Sequence, residues 1–534
     1  MSDSSQASVL ERSSLLRFLR GLFRWRVIRL ALIVLAWTAT VIALIYAEEN
    51  WRGRRAWNKY RLQLEARGEQ LDLRAFIPKP VADSENFAAT PFFTFLFAHK
   101  TNSHDWLDNY AWALKRISKP KTTNDAGNRS FTDLAAWEMA FDAIRLGRTN
   151  RDQKFKSDKV DPQSRAQAAQ PVLEGLKDSE ERLAEVRAAS QRPYSRYPVF
   201  YDLDNPWGIL LPHVVNVKLL CQRLQLRACA QLAAGRSQDA LQDVKLALYL
   251  ADSLKEEPFL ISYMVRVACV QITIQPVWEG LAEHRWSEAQ LQELQSRLQQ
   301  YDFLADIKHP LGAERAAGIL TVDLVRRKQY LLSELSDAEL SDSSAGSSDT
   351  LMNLLSRVAP RGWYYQEQLS YCRLYEEQLK GTFDPSQRRV WPSQCQSNAR
   401  ELDRRIAGGR LGKGFHALMR HHVMAALLLP ALNNVTGRSA RAQTATDQAA
   451  LACALERYRL VHHQFPDKLE GLVPVFIERL PHDVITGKPF VYHRTEDGQF
   501  ALYSVGWDER DDGGVAGKTL FAEKGDWVWS YPSR

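Results

Sequence analysis

The chain lacks the compact signatures by which catalysis is usually read from sequence. It holds no His-Glu-x-x-His zinc motif and no Gly-x-Ser-x-Gly nucleophile turn. Its six cysteines are scattered, with no Cys-x-x-Cys pair. Charge of one sign is also lacking: 70 Lys and Arg stand against 63 Asp and Glu, a net charge of +7 over 534 residues. No basic stripe with interleaved aromatics occurs, which argues against nucleic acid as a partner. Gly513-Gly514-Val515-Ala516-Gly517-Lys518-Thr519 is one residue short of a phosphate-loop spacing. His421-His422 and His462-His463 are adjacent pairs. Neighbours on a helix point about 100° apart and do not chelate as residues four apart would, so a surface or packing role is expected.

One long uncharged apolar run is present. Residues 30–47 carry no charge and extend roughly 27 Å as a helix, close to the hydrocarbon thickness of a bilayer. Val27, Ile28 and a snorkelling Arg29 extend it, so residues 27–47 are predicted as a transmembrane helix. A cleaved signal peptide is the competitor, but Ile45-Tyr46-Ala47 is a poor small-x-small site. An uncleaved anchor is favoured, with lipid contact through that helix. Arg12, Arg17, Arg20, Arg24, Arg26 and Arg29 precede the run. Arg52, Arg54, Arg55 and Lys59 follow it, behind Glu48 and Glu49. The excess on the first side predicts residues 1–26 as a basic cytoplasmic tail, suited to anionic headgroups. It predicts a single pass through the inner, cytoplasmic membrane and a periplasmic or otherwise extracytoplasmic body. Trp25 and Trp51 sit where interfacial anchors belong. No second stretch equals this one. Residues 423–432 are too short to span and are expected as a buried helix.

Hydrophobic content of 45% supports real cores. Residues 48–100 read as a juxtamembrane stalk and linker, helical over 51–68 and then irregular, with Pro78, Pro80 and Pro91 as punctuation. The run Phe92-Phe93-Thr94-Phe95-Leu96-Phe97 is expected as a core element. Residues 101–435 read as an exported α-helical domain. From 210 to 301 the apolar residues keep helical spacing. Gly235 is a helix stop. Ser237 is expected to cap the next helix, which bears Ala240, Leu241, Val244, Ala247, Leu248 and Ala251. Ser287 with Gln290 reads as a capping box. The stretch AAGRSQDALQDVKLALYLA resembles one tetratricopeptide-like hairpin. Ser237 and Ser287 are set wider apart than the roughly 34 residues of that repeat, so an irregular stack of helical hairpins is expected. Residues 333–350, rich in Ser, Asp and Glu, read as a flexible loop. Helices are expected again over 351–375 and 398–433. Cys221 and Cys229 lie about 12 Å apart along one predicted helix, too far to bridge. Cys229, Cys269 and Cys453 read as core. Cys372 and Cys395 are the candidate disulfide for an exported domain.

The last hundred residues have a distinct order. Leu451, Leu455, Tyr458, Val461 and Phe465 share one helix face. Pro466 follows, and Asp467 with Glu470 reads as an acidic capping box that starts a short helix carrying Leu469, Leu472, Val473 and Phe476. Pro481 ends it. Thr486-Gly487-Lys488-Pro489 is turn chemistry. Residues 490–494 and 499–505 are β-rich runs around Asp497-Gly498, a hairpin signal. The acidic loop Asp508-Glu509-Arg510-Asp511-Asp512-Gly513 supplies carboxylates and bare carbonyls of the kind a hard cation wants. A solvated turn, with Lys518 and Lys524 pairing to those carboxylates, is the alternative.

This succession resembles the C-terminal half of the major pseudopilins of type II secretion systems. The resemblance implies a pilin-like α+β module over residues 436–534. It also implies calcium held by Asp508, Asp511, Asp512 and, before Trp527, Asp526. It covers about one sixth of the chain. Gly21-Leu22-Phe23-Arg24-Trp25-Arg26 offers no pilin-type glutamate, and the apolar run lies far from this module, which argues against assembly into a pilus. EENWRGRRAW and LDLRAFIPKPVADSENFAATPF also resemble a group of single-anchor bacterial envelope proteins, a likeness that brings no activity with it. The expected fold class is mainly α: a membrane-anchored body of irregular tetratricopeptide-like hairpins with a small pilin-like α+β module. The expected function is a non-enzymatic envelope scaffold binding protein partners. The alternatives are an accessory component of a type II secretion or pilus-like machine and an exported hydrolase without a recognisable motif.

Overall fold

The computed structural model describes residues 25–98, 105–117, 129–148, 153–158, 160–327, 359–407, 421–432, 434–522 and 524–532. Most of the basic tail, the 333–350 loop and the start of the helix expected at 351 lie outside them.

The apolar run is not a separate element. One helix, α1 (Trp25–Ala66), carries it directly into the body. Over the run Leu30, Leu35, Trp37 and Leu44 are exposed. Beyond Glu49 the same helix changes character. Gly53, Trp57, Tyr60 and Leu64 are buried at three- and four-residue steps, one stripe of a half-buried helix. The expected stalk is therefore packed into the body, against the helix Arg361–Leu379.

Short helices follow: α2 (Pro91–Ala98), α3 (Asp105–Leu114), α4 (Leu134–Arg145), α5 (Pro162–Gly175) and α6 (Glu180–Ala189). In α2, Phe92, Phe93 and Leu96 are buried, so one face of the aromatic run is core, while Phe95 is exposed. The centre of the body is α7 (Pro212–Ala233), α8 (Ser237–Asp252) and α9 (Leu260–Ala282), each packed on the other two, followed by α10 (Glu288–Leu298). The turn between α7 and α8 rests on Gly235, at φ +75°. Ser287 forms the expected capping box with Gln290. Ser237 is not a cap: Arg236 holds that position without a side-chain capping bond, and the Ser237 hydroxyl accepts from Gln290 instead. A second helix, α9, is also long and apolar enough to cross a membrane by composition, contrary to expectation. Yet 61% of its most apolar stretch is buried within the body, which makes it a core helix.

The chain continues through α11 (Phe303–Asp306), α12 (Lys308–Arg326) and α13 (Arg361–Leu379). A small hairpin of β1 (Phe383–Asp384) and β2 (Arg389–Val390), not foreseen in the sequence, leads to α14 (Pro392–Ala407) and α15 (Val423–Leu428). Then α16 (Val435–His462) runs through the middle of the molecule, against α9, α10 and α11. It is buried from Val435 to Glu456 apart from Arg438, a far wider burial than a single stripe. Its expected stripe fails at Val461, 60% exposed, one residue before the helix ends.

The C-terminal sheet is antiparallel, in the order β3 (Val491–Arg494), β4 (Phe500–Ser504), β5 (Trp527–Trp529). The β3–β4 hairpin turns at Asp497-Gly498 as expected, with Gly498 at φ +77°. Strand β5 was not foreseen. Asp467 caps nothing: it accepts from Arg494 across 3.0 Å, and only a 3-10 turn, Leu469–Leu472, forms after it. Gln448 of α16 donates to the carbonyls of Leu502 (3.3 Å) and Trp527 (2.8 Å). One continuous core runs from Trp57 and Leu64 through α7–α10 to Phe500, Leu502 and Trp529. The region after 436 therefore shares its core with the helical body.

Candidate functional sites

The acidic loop follows β4. Gly506 turns the chain at φ +75°, and a side chain there would meet the Gly525 carbonyl at 2.7 Å. This close approach brings the segment at 525–526 back onto the loop. Asp526 is fully buried. Its Oδ1 accepts from the Asp512 amide (3.2 Å) and its Oδ2 from the Gly514 amide (2.7 Å). Asp512 Oδ2 accepts from the Gly525 amide across 2.6 Å. Asp508 and Asp511 each accept from the amide two residues on, Arg510 and Gly513. The structure thus brings all four predicted carboxylates into one loop, as the acceptors that knit it together.

Their electrostatics follow from this crowding. Burial, followed by the charges of Asp511 and Asp512, pushes Asp526 up to about 6, against the pull of its two amide bonds. Burial also raises Asp508, with Asp512 adding to it. Tyr503 is pushed up to about 12 by burial and by Asp511. Asp508 Oδ2 is enclosed without a hydrogen-bond partner. Calcium takes six to eight oxygens. Most carboxylate oxygens here already hold amide protons, and among the described residues no group of three or more His, Cys, Asp or Glu is disposed to hold a metal ion. The loop is thus built on amide–carboxylate bonds, and an ion would have to take over oxygens that the loop's own backbone uses.

Cys372 and Cys395 are unbridged, as are the other four cysteines. Cys372 is buried in α13, while the half-buried Cys395 directs its Sγ to the Thr382 carbonyl at 3.9 Å. Cys229, Cys269 and Cys453 are core, as expected. His421 and His463 both adopt positive φ, at 57° and 60°, so each stands at a helix boundary rather than in a chelating pair.

Sequence reading missed a buried cluster in the body. His213 Nε2 lies 2.5 Å from Glu257 Oε1, and the Ser262 hydroxyl donates to Glu257 Oε2. The His213 ring stacks on Tyr197 at 4.1 Å and on Phe97 at 5.4 Å. A nucleophilic triad places the histidine between serine and carboxylate. Here the carboxylate stands between the other two. His213 and Ser262 are 0% exposed and Glu257 5%, so no substrate meets them in this conformation.

The body also carries an open trough. Helices α6, α8 and α10 line a cavity of about 640 Å3 with Arg187, Gln242, Lys245, Gln292 and Arg297. On α8 the lining residues Gln242, Lys245, Leu246 and Tyr249 fall on one helical face. Tyr249 also lines the adjoining cavity, about 810 Å3, which runs to Pro78, Pro80 and Tyr194. Its charges are largely matched within it: Lys245 pairs with Glu293 and Arg297 with Asp252.

No protein-family model matches the chain, and neither a curated protein nor a solved structure matches it.

Proposed function

We propose that this protein is a membrane-anchored scaffold whose exported helical body binds other proteins of the cell envelope. The observation that carries the reading is the trough across α6, α8 and α10, continued to Pro78 and Tyr194. Successive helices offering polar faces to one groove make a broad surface suited to an extended partner. The long apolar helix near the N terminus, exposed along its run and continuous with the body, supports the anchor. The pilin-like resemblance of the C-terminal region supports a placement near a secretion machine, which is the second reading.

A photo-crosslinking residue at Gln242 or Gln292 tests the proposal in intact membranes. The expected result is a discrete adduct absent when the probe sits at Gln170, an exposed position on α5. Equal labelling at all three positions overturns the scaffold reading. Secretion-platform subunits in the adduct select the second. A phosphatase active only after export, fused at the C terminus, is expected to be active.

A further inference from the structure

A cavity of about 620 Å3 lies where α1 leaves its apolar run, lined by Trp51, Arg54, Arg55, Arg326, Arg361 and Tyr365 together with two asparagines. Four guanidinium groups face it and no carboxylate lines it. The acids on the same helices are already taken. Glu48 and Glu49 hold Arg52, and Asp323 holds both Arg326 and Arg327. Glu367 is buried and accepts the amides of Val423 and Met424. Arg55 lies over Trp51 at 5.3 Å and Arg326 over Tyr365 at 5.0 Å, which fixes two of the four. Arg54 and Arg361 are exposed and lie in no ion pair among the described residues.

The walls are held rigidly. A Cβ on Gly53 would come within 2.3 Å of the Gly362 carbonyl oxygen, and one on Gly362 within 2.0 Å of the Glu49 oxygen. Only glycine lets α1 and α13 touch backbone to backbone. The Gly362 amide donates to Asn50 Oδ1 across 2.6 Å at the same crossing. Arg361 opens α13, so the positive end of that helix adds to the field.

The height of the pocket decides what fills it. At about 1.5 Å per residue, Trp51 stands roughly 6 Å and Arg55 roughly 12 Å beyond Ala47 along the helix. The headgroup layer on each side of a bilayer is about 5–7 Å thick, so Trp51 lies within it, and Arg54 and Arg55 start just beyond it with long side chains that lean back toward the start of the helix. Trp51 is 63% exposed at that level, as interfacial tryptophans are. Guanidinium groups bind phosphodiester oxygens in bidentate fashion.

We propose that this pocket holds the headgroup of an anionic glycerophospholipid from the leaflet that the body faces. The lipid fixes the body against the membrane surface and orients the trough. The proposal rests on the anchor reading above.

The test uses the full chain in nanodiscs of phosphatidylcholine, with or without phosphatidylglycerol. Retained lipid is counted by native mass spectrometry and thermal unfolding is followed in parallel. The wild type is expected to retain phosphatidylglycerol selectively and to melt higher in its presence. Arg54→Gln with Arg361→Gln should weaken retention by about tenfold or more and remove most of the melting difference. Arg54→Lys with Arg361→Lys should keep part of both, and Arg24→Gln with Arg29→Gln on the other side of the run should keep both. Equal retention and melting in wild type and the double glutamine variant overturns the proposal. Inorganic phosphate reproducing the stabilisation in neutral discs overturns it too, by showing a site for free anions. A chain that fails to enter the discs overturns the anchor reading itself.

Discussion

In the helical body a buried charge is met by an opposite charge; in the C-terminal sheet and loop it is met by backbone amides. Arg165, 1% exposed, is clamped by Glu279 and Glu283 of the α9 region, and Glu279 also accepts from the Thr132 amide and hydroxyl. Arg266 bridges Asp252 and Asp306. Arg187 and Arg227 both reach Asp243. In the C-terminal region Asp526 accepts two loop amides, and Asp483 accepts the Ile485 amide and the hydroxyls of Ser504 and Thr486. The difference follows from the backbone. Inside a helix every amide is spent on the carbonyl four residues back, so a buried carboxylate there must find a cation. Short strands joined by long loops leave amides free, and a carboxylate can gather them. Glu367 of α13 obeys the same rule from the other side: it accepts two amides where α15 begins, and helix starts leave amides free.

The contrast is open to breakage, most severely at the ion pairs. Glu279→Ala leaves a buried guanidinium half-matched and is expected to cost about 3–5 kcal/mol in urea unfolding of the detergent-solubilised chain. Replacing Arg165 by Met and Glu279 by Leu together should recover only part of that loss, because the Thr132 amide and hydroxyl still lose their acceptor. A Glu279→Ala cost below about 1 kcal/mol would remove the distinction drawn for the body. Asp526→Ala orphans two amides and should cost about 2–4 kcal/mol, with Asp526→Asn costing less because one oxygen remains.

Titration sharpens the same comparison. Burial pushes Glu367 up to about 8 and Asp447 up to about 7 in the folded state. Unfolded carboxyls titrate near 4, so across neutral pH the folded chain binds more protons and its stability falls as pH rises. The urea midpoint should therefore drop between pH 6.5 and pH 8.5, by roughly 2–3 kcal/mol of stability. A midpoint that rises over this interval contradicts the assignment. His421, whose pKa burial lowers, acts in the opposite sense only at the acid end of this interval, where the unfolded imidazole still binds protons.

Smaller effects separate true caps from apparent ones. Ser287→Ala should cost about 1 kcal/mol, whereas Ser237→Ala should stay within about 0.5 kcal/mol. Smallest of all is calcium. Because the loop's amides already occupy its carboxylates, roughly 10 mM calcium should move the melting temperature of the full chain by no more than about one degree. A rise of several degrees, abolished by Asp511→Ala with Asp512→Ala, would show that the ion displaces those bonds.

The sequence by itself determined the elements whose signals are local. The uncharged run, the helices between 210 and 301, the Ser287 box and the Asp497-Gly498 turn all follow from torsional preference, side-chain period and nearby hydrogen bonds. The four aspartates could be grouped because three lie within five residues of one another. Tertiary structure alone decided the rest. A stripe on α1 says that a face is buried but not that α13 covers it through Gly53 and Gly362. Strand β5 is three residues long and gains its identity only by pairing with β4. The cluster of His213, Glu257 and Ser262, and the arginines drawn from α1, α12 and α13 into one pocket, carry no spacing that marks them. Local pattern fixes how the backbone turns and which faces shun water. Which distant charges meet is settled only when those faces pack.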